Sequence, residues 1–150
     1  MPVIKSTSAA ETKEFAAKLA AKLARTPLGK HARVVTLVGD LGAGKTTFIQ
    51  GFARALGVKS RLTSPTFVIM KRYGLKGARY KNLYHIDAYR VSSMKELGPL
   101  RIEKALTDPE NIFLIEWANN LTGARFKNPV RLAFRHGKKE HARTISVRGI

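Results

Sequence analysis

The chain has 150 residues, of which 44% are hydrophobic and 25% are charged, and this composition is typical of one ordinary globular domain. It contains no cysteine, which excludes disulfides, thiolate metal sites and a cysteine nucleophile. No apolar run approaches the roughly 20 residues that span a bilayer, and no signal peptide is evident, so we expect a cytoplasmic protein without membrane attachment.

Positive charge is concentrated in two stretches. Twenty-eight Lys and Arg against ten Asp and Glu give a net charge of +18. Residues 59–81 carry seven basic side chains and no acid, and residues 121–150 carry eight with one acid. Such a surface attracts polyanions without reading a base sequence, so contact with nucleic acid is one expectation. An acidic protein partner, or solubility alone, would explain the same charge.

The N-terminal part of the chain predicts a helix, a buried strand and a second helix. Ser8 and Glu11 form a capping-box pattern, and the helical spacing of the apolar residues that follow predicts an amphipathic helix over residues 9–24. Val34–Val38 is apolar and largely β-branched, which predicts a buried strand. Helical spacing returns over residues 46–56, and a glycine follows as a natural stop.

The segment between this strand and the second helix carries the most specific motif in the chain. Residues 39–46 read Gly-Asp-Leu-Gly-Ala-Gly-Lys-Thr, a complete G-x-x-x-x-G-K-[ST] phosphate-binding loop. Its glycines let backbone N–H groups turn towards a phosphate, and the N-terminus of the helix favours anions. Lys45 is suited to reach the β- and γ-phosphates, and the Thr46 hydroxyl is suited to bind Mg²⁺.

The remaining elements predict a mixed sheet. Strands are predicted at residues 66–73, 83–86, 112–115, 130–134 and 144–147, and a helix at residues 94–106. The last two strands flank a polar turn, which predicts an antiparallel hairpin. Because strands and helices interleave around a phosphate loop, we expect an α/β fold of the P-loop NTPase type. A mixed sheet flanked by helices would form a single P-loop ATPase domain over residues 1–150.

Two of the predicted strands end in an acid. Asp87 follows one apolar strand and Glu116 follows another. Ligands of such sheets lie beyond the carboxyl ends of the strands, where one carboxylate can hold Mg²⁺ and the other can orient or deprotonate the attacking water. Acids are common at strand ends, so the indication comes from the pair in combination with a complete phosphate loop.

Several neighbouring residues have two interpretations at this stage. His85 is better explained as a structural residue than as a ligand. Arg90 could neutralise charge on a γ-phosphate or pair with an acid, and Trp117 could be a core aromatic or a platform beside the nucleotide. Residues 64–66 could form a loop that senses the γ-phosphate or simply begin a strand. The chain has no Asn-Lys-x-Asp motif for guanine, which favours ATP over GTP.

In their order and spacing the motifs resemble the bacterial TsaE (YjeE) family. They are the phosphate loop with Thr47 and Phe48, then Ser64-Pro-Thr-Phe67, His85-Ile-Asp-Ala-Tyr-Arg90, Glu96-Leu97 and Ile115-Glu-Trp117. The resemblance covers about residues 8–117. It implies a small Mg²⁺-dependent ATPase required for N6-threonylcarbamoyladenosine modification of tRNA position 37. The implied partners are TsaB and TsaD, of which TsaD transfers the threonylcarbamoyl group.

The same resemblance implies roles for individual residues. The ATP site would comprise Leu41, Gly42, Ala43, Gly44, Lys45, Thr46, Thr47 and Trp117. Lys45, Asp87 and Glu116 would serve catalysis, and Thr46 and Glu116 would hold Mg²⁺. Residues 64–66 and 85–90 would form two switch-like loops. One departure is Ala118, where the family commonly has proline.

Two other functions stay open from the sequence. A small P-loop phosphotransferase would need a substrate pocket and an arginine-rich lid, and the basic stretch at residues 71–81 could be mistaken for such a lid. A nucleotide-dependent switch or binding module would use the same loop, with slow hydrolysis as its reset.

Overall fold

The computed structural model describes residues 2–40, 42–60, 62, 69–76 and 79–150. The strands are β1 (Val3–Ser6), β2 (Arg33–Gly39), β3 (Met70–Gly74), β4 (Asn82–Asp87), β5 (Asn111–Glu116), β6 (Val130–His136) and β7 (Arg143–Arg148). The helices are α1 (Ala9–Arg25), α2 (Lys45–Ala55) and α3 (Ile102–Leu106), with 3-10 segments at Met94–Leu100 and Ala118–Asn120.

The strands form one mixed sheet in the order β1-β7-β6-β2-β5-β4-β3. The four central strands β4, β5, β2 and β6 are parallel, whereas β3, β7 and β1 each run antiparallel to the strand that they join. This confirms the predicted α/β class, and β6 and β7 confirm the antiparallel hairpin. Because the central strands are parallel, β4, β5, β2 and β6 all end at the same edge of the sheet.

Both faces of the central strands are buried, because successive side chains alternate between two layers. In β2, Val35 and Leu37 belong to the larger hydrophobic cluster under α1 and α2, whereas Val34 belongs to the cluster on the face of α3. This double burial explains why these strands read as continuous apolar runs. It also fixes which side chains at the strand ends face α2.

A capping box has two hydrogen bonds, and the structure confirms the one that the Ser8 side chain accepts. The side chain of Ser8 accepts a hydrogen bond of 3.1 Å from the backbone N–H of Glu11. The Glu11 carboxylate accepts from the backbone N–H of Thr7, at 2.8 Å, rather than from that of the cap residue. This carboxylate therefore holds the turn that leads from β1 into α1.

Two elements differ from the sequence-based expectation. The predicted helix over residues 94–106 is divided into a 3-10 segment and α3, because Pro99 lies within it and Arg101 has a left-handed φ of 54°. The short strand β1 was not predicted, and it forms by pairing with β7 at the edge of the sheet. Of the predicted strand at residues 66–73, residues 66–68 lie outside the described part of the chain.

A glycine allows α1 and α2 to approach closely. A Cβ atom at Gly51 would lie 2.8 Å from both the Cα and the carbonyl oxygen of Lys13. We therefore expect Gly51→Val to push the helices apart and to lower the free energy of unfolding by about 1–3 kcal/mol, measured by urea titration. Gly29→Val is the control, because a Cβ there meets no atom within 4 Å. Equal losses in the two variants would contradict this account of the helix contact.

Candidate functional site

The described residues of the motif at 39–46 lie at the end of β2, in the segment that follows it and at the start of α2. Gly42 and Gly44 have φ angles of 79° and 103°, a region that glycine adopts without steric cost. A Cβ at Gly39 would lie 2.5 Å from the carbonyl oxygen of Phe134 on the neighbouring strand. The glycines of the motif are thus required by the path of the backbone. Leu41, predicted to contact ATP, lies outside the described residues.

Lys45 begins α2 with its side chain directed into the protein. Only 5% of the residue is exposed, and its ammonium donates to the carbonyl oxygen of Gly39. The Nζ atom lies 3.7 Å from the centroid of the Trp117 ring, a cation–π contact. Burial lowers the pKa of Lys45, and the carboxylates of Glu116 and Asp87 act in the opposite direction. Partial desolvation strengthens the interaction of such an ammonium with a phosphate.

The two predicted carboxylates lie side by side. Asp87 ends β4, Glu116 ends β5, and the two residues are register partners in this parallel pair. The Oδ1 atom of Asp87 accepts a 3.0 Å hydrogen bond from the backbone N–H of Tyr89. Burial raises the pKa of Asp87, and the charge of Glu116 raises it further, although the Tyr89 N–H works against this. A carboxylate with a raised pKa is a stronger base than an ordinary surface aspartate.

His85, expected from the sequence to be a structural residue, is buried beside the carboxylate of Glu116. Its Nε2 atom lies 2.9 Å from Oε2 of Glu116, and both side chains are buried. Its Nδ1 atom has no hydrogen-bond partner in the described part of the chain. The sequence offered one indication that His85 lies near the carboxylates. His85 and Asp87 are two residues apart, which places both side chains on one face of β4. Identifying Glu116 as the partner required the register of β4 against β5.

Trp117 directly follows β5, and its ring contacts Lys45. It has a left-handed φ of 57°, and its ring centroid is 5.0 Å from that of Tyr89. Its backbone N–H donates to the carbonyl oxygen of Leu37 at 3.0 Å, and the Asn120 side-chain amide donates to that of Ala88 at 3.1 Å. These bonds connect the ends of β2, β4 and β5, so the site is built on rigid elements.

The other sequence-predicted residues divide into three groups. Ala43 is buried within the loop, Thr46 is exposed in the first turn of α2, and Thr47 is half-buried behind it. Arg90 is exposed in the turn that follows β4. Residues 64–66, considered as a phosphate-sensing loop, lie outside the described residues.

One arginine was not identified from the sequence. Arg143 begins β7, and a Cβ atom at Gly44 would lie 2.0 Å from its Nη1 atom, so the guanidinium packs against the loop backbone. The two positions are far apart in sequence, and the pairings of β2 with β6 and of β6 with β7 bring them together.

Two general features are established for the described part of the chain. It contains no helix that is long and apolar enough to cross a membrane. It also contains no group of three or more His, Asp or Glu side chains placed to hold a metal ion on their own.

Comparison with known proteins gives consistent matches. A family model described as "Threonylcarbamoyl adenosine biosynthesis protein TsaE" matches residues 6–145. A protein of Bacillus subtilis named "tRNA threonylcarbamoyladenosine biosynthesis protein TsaE" is 42% identical over 109 residues, which cover 73% of this chain and 61% of the relative. A protein of the same name from Borreliella burgdorferi is 42% identical over 91 residues, which cover 61% of each chain.

A solved structure shares the fold. The crystal structure of YdiB from Bacillus subtilis superposes with a TM-score of 0.70 and 31% sequence identity, covering 97% of this chain and 83% of that one. By sequence, the match spans about three fifths of the length of the Bacillus and Borreliella relatives.

Proposed function

Because the chain belongs to the TsaE family, we propose that it is a Mg²⁺-dependent ATPase that acts in the cytoplasm in the biosynthesis of N6-threonylcarbamoyladenosine in tRNA. The observation that carries the ATPase proposal is the position of Lys45. Its buried ammonium lies in a complete phosphate loop, within the electrostatic reach of Asp87 and Glu116. The names of the curated relatives support the pathway.

The loop fits a polyphosphate ligand. Gly42 and Gly44 have left-handed backbone angles, which suit a turn that directs its N–H groups towards an anion, and the guanidinium of Arg143 lies against Gly44. The loop also leads directly into the N-terminus of an eleven-residue helix, α2, whose unpaired N–H groups and dipole favour negative charge. These features suit the β- and γ-phosphates of ATP, with Lys45 as their counter-charge.

The residues also fit Mg²⁺ as the cofactor. This ion usually keeps several waters and takes one or two protein oxygens together with substrate phosphates, so it does not need a cluster of protein ligands. The Thr46 hydroxyl and the Glu116 carboxylate are the oxygens that would hold it. When bound, Mg²⁺ neutralises charge on the phosphates.

The protein's own residues would divide the work of hydrolysis. Lys45 binds the phosphates and stabilises the negative charge that develops on them. Asp87, with its raised pKa, accepts a proton from the attacking water. His85 fixes the orientation of Glu116 through the 2.9 Å contact, and Trp117 excludes water from one side of the lysine.

The partners implied by the family are TsaB and TsaD. The ATPase would then couple its cycle to the complex in which TsaD transfers the threonylcarbamoyl group to tRNA. The net charge of +18 supports an additional contact with tRNA through the basic stretches, and an acidic face of TsaB–TsaD would use the same charge.

Reconstitution tests this proposal. TsaB–TsaD, tRNA and a threonylcarbamoyl donor are combined with and without this protein, and both modified nucleoside and released phosphate are measured. We expect repeated modification cycles only when the protein, ATP and Mg²⁺ are all present, and loss of phosphate release on chelation of Mg²⁺. Transfer of the labelled γ-phosphate to an acceptor other than water would indicate a phosphotransferase. Nucleotide-dependent assembly without hydrolysis would indicate a switch module.

A further inference from the structure

We propose that Arg143 binds the α-phosphate of the nucleotide, so that the β6–β7 hairpin forms a second wall of the ATP site. The proposal rests on ATP binding as proposed above, and it adds a residue from a part of the chain that carries no nucleotide motif. It also assigns a role to the end of this hairpin.

The hairpin places one histidine and one arginine at the edge of the sheet where the phosphate loop lies. His136 ends β6 and Arg143 begins β7, and the two are register partners. Phe134 and Ile145, each two residues away along its strand, belong to the core under α2. Because side chains alternate along a strand, His136 and Arg143 project to that same face, at the N-terminus of α2.

Both side chains lie beside the glycines of the loop. A Cβ at Gly44 would lie 2.0 Å from Nη1 and 2.7 Å from Cδ of Arg143, so the guanidinium covers the residue just before Lys45. A Cβ at Gly42 would lie 3.7 Å from Cε1 of His136. The hairpin therefore lies directly against the backbone that would hold the phosphates.

One donor atom of Arg143 has no partner in the described part of the chain. Within those residues its Nε atom is buried without a hydrogen-bond partner, and the ion pairs do not include Arg143. Buried polar atoms normally have partners, and a guanidinium is built to donate to phosphate oxygens through two parallel bonds. An arginine in this position is therefore well suited to an anionic ligand that occupies the loop.

The sheet order indicates which phosphate this would be. Asp87 and Glu116 end β4 and β5, on one side of β2, whereas β6 and β7 lie on its other side. The carboxylate side is the proposed place of Mg²⁺, the γ-phosphate and the attacking water. The nucleotide must then leave the loop on the opposite side, past Arg143, where its α-phosphate meets a positive charge.

This placement predicts a distinct nucleotide dependence for Arg143→Gln. ATP and ADP share the α-phosphate, so we expect the Kd for both to rise by roughly tenfold or more, with the ratio of the two affinities preserved. Titration calorimetry with each nucleotide in the presence of Mg²⁺ measures this. Arg148→Gln is the matched control, because Arg148 ends the same strand, is exposed and carries the same charge. It should bind both nucleotides as the wild type does.

The outcomes separate this inference from the ATPase proposal. Wild-type affinity of Arg143→Gln for both nucleotides would overturn the inference and leave the ATPase proposal standing. A loss for ATP alone would overturn the α-phosphate assignment. A wild-type protein that binds neither nucleotide would overturn both proposals. Arg143→Lys covers the case in which the glutamine variant does not fold. It keeps one charge without the two-bond geometry, and we expect intermediate affinities, whereas wild-type values would contradict the inference.

Discussion

Asp87→Asn is expected to reduce ATP turnover by about 100- to 10,000-fold while ATP binding is retained, because it removes the proposed general base without changing the size of the side chain. The Oδ1 atom of asparagine can still accept the hydrogen bond from the Tyr89 N–H, so the turn after β4 keeps its shape. Phosphate release and calorimetric ATP affinity, measured on the same preparation, separate the two effects.

The pH dependence of ATP turnover by the wild-type protein gives this prediction a second readout. A base must be deprotonated to act, and burial raises the pKa of Asp87. Activity should therefore fall on the acid side at a higher pH than an ordinary aspartate would produce, and Asp87→Asn should remove this limb from any residual rate. An unchanged acid limb in the variant would assign the base to another residue.

Glu116→Gln provides the comparison that distinguishes the roles of the two acids. It should weaken Mg²⁺-dependent nucleotide binding, because an amide oxygen is a poorer ligand for a hard cation than a carboxylate. Glu14→Gln, an exposed change on α1, controls for the loss of one negative charge. If Asp87→Asn lost Mg²⁺-dependent binding and Glu116→Gln lost only turnover, the roles proposed here would be reversed.

Local patterns were sufficient to predict the central part of the fold. The strands β2, β4 and β5 are short apolar runs buried on both faces, so their hydrophobicity identified them directly. The phosphate loop requires glycine at fixed positions, and this requirement is local as well. In contrast, β1 has four residues and forms only because β7 provides a pairing edge. The four residues of β1 alone do not form a pattern that predicts a strand.

The site could be predicted only as far as its motifs extended. Asp87 and Glu116 were identified because each ends an apolar strand, and strands of a parallel sheet end at one edge. The contact of His85 with Glu116 depends on strand register, and the contact of Arg143 with Gly44 depends on the hairpin's place in the sheet order. Contacts between positions distant in sequence follow from tertiary packing, which a single sequence does not encode in any local pattern.

Lys45→Met is expected to weaken ATP binding by about 2–4 kcal/mol, because it removes a partly desolvated charge from the phosphate loop. Methionine has a similar length and can retain the packing against Trp117, so the loss should reflect charge rather than a cavity. Calorimetry with ATP and Mg²⁺ measures the affinity. Lys104→Met, an exposed change in α3 on the opposite face of the sheet, controls for the loss of one positive charge.

Thermal unfolding distinguishes a binding role of Lys45 from a structural one. Burial opposes the charged form of this lysine, whereas the carboxylates of Glu116 and Asp87 favour it, so removal of the charge has two opposing effects on stability. We therefore expect the melting temperature to change much less than the affinity. A large fall in melting temperature with a proportionate loss of binding would mean that Lys45 mainly holds the loop together. Unchanged affinity and turnover would mean that this loop is not the nucleotide site, because its charged side chain would then contribute to neither binding nor hydrolysis.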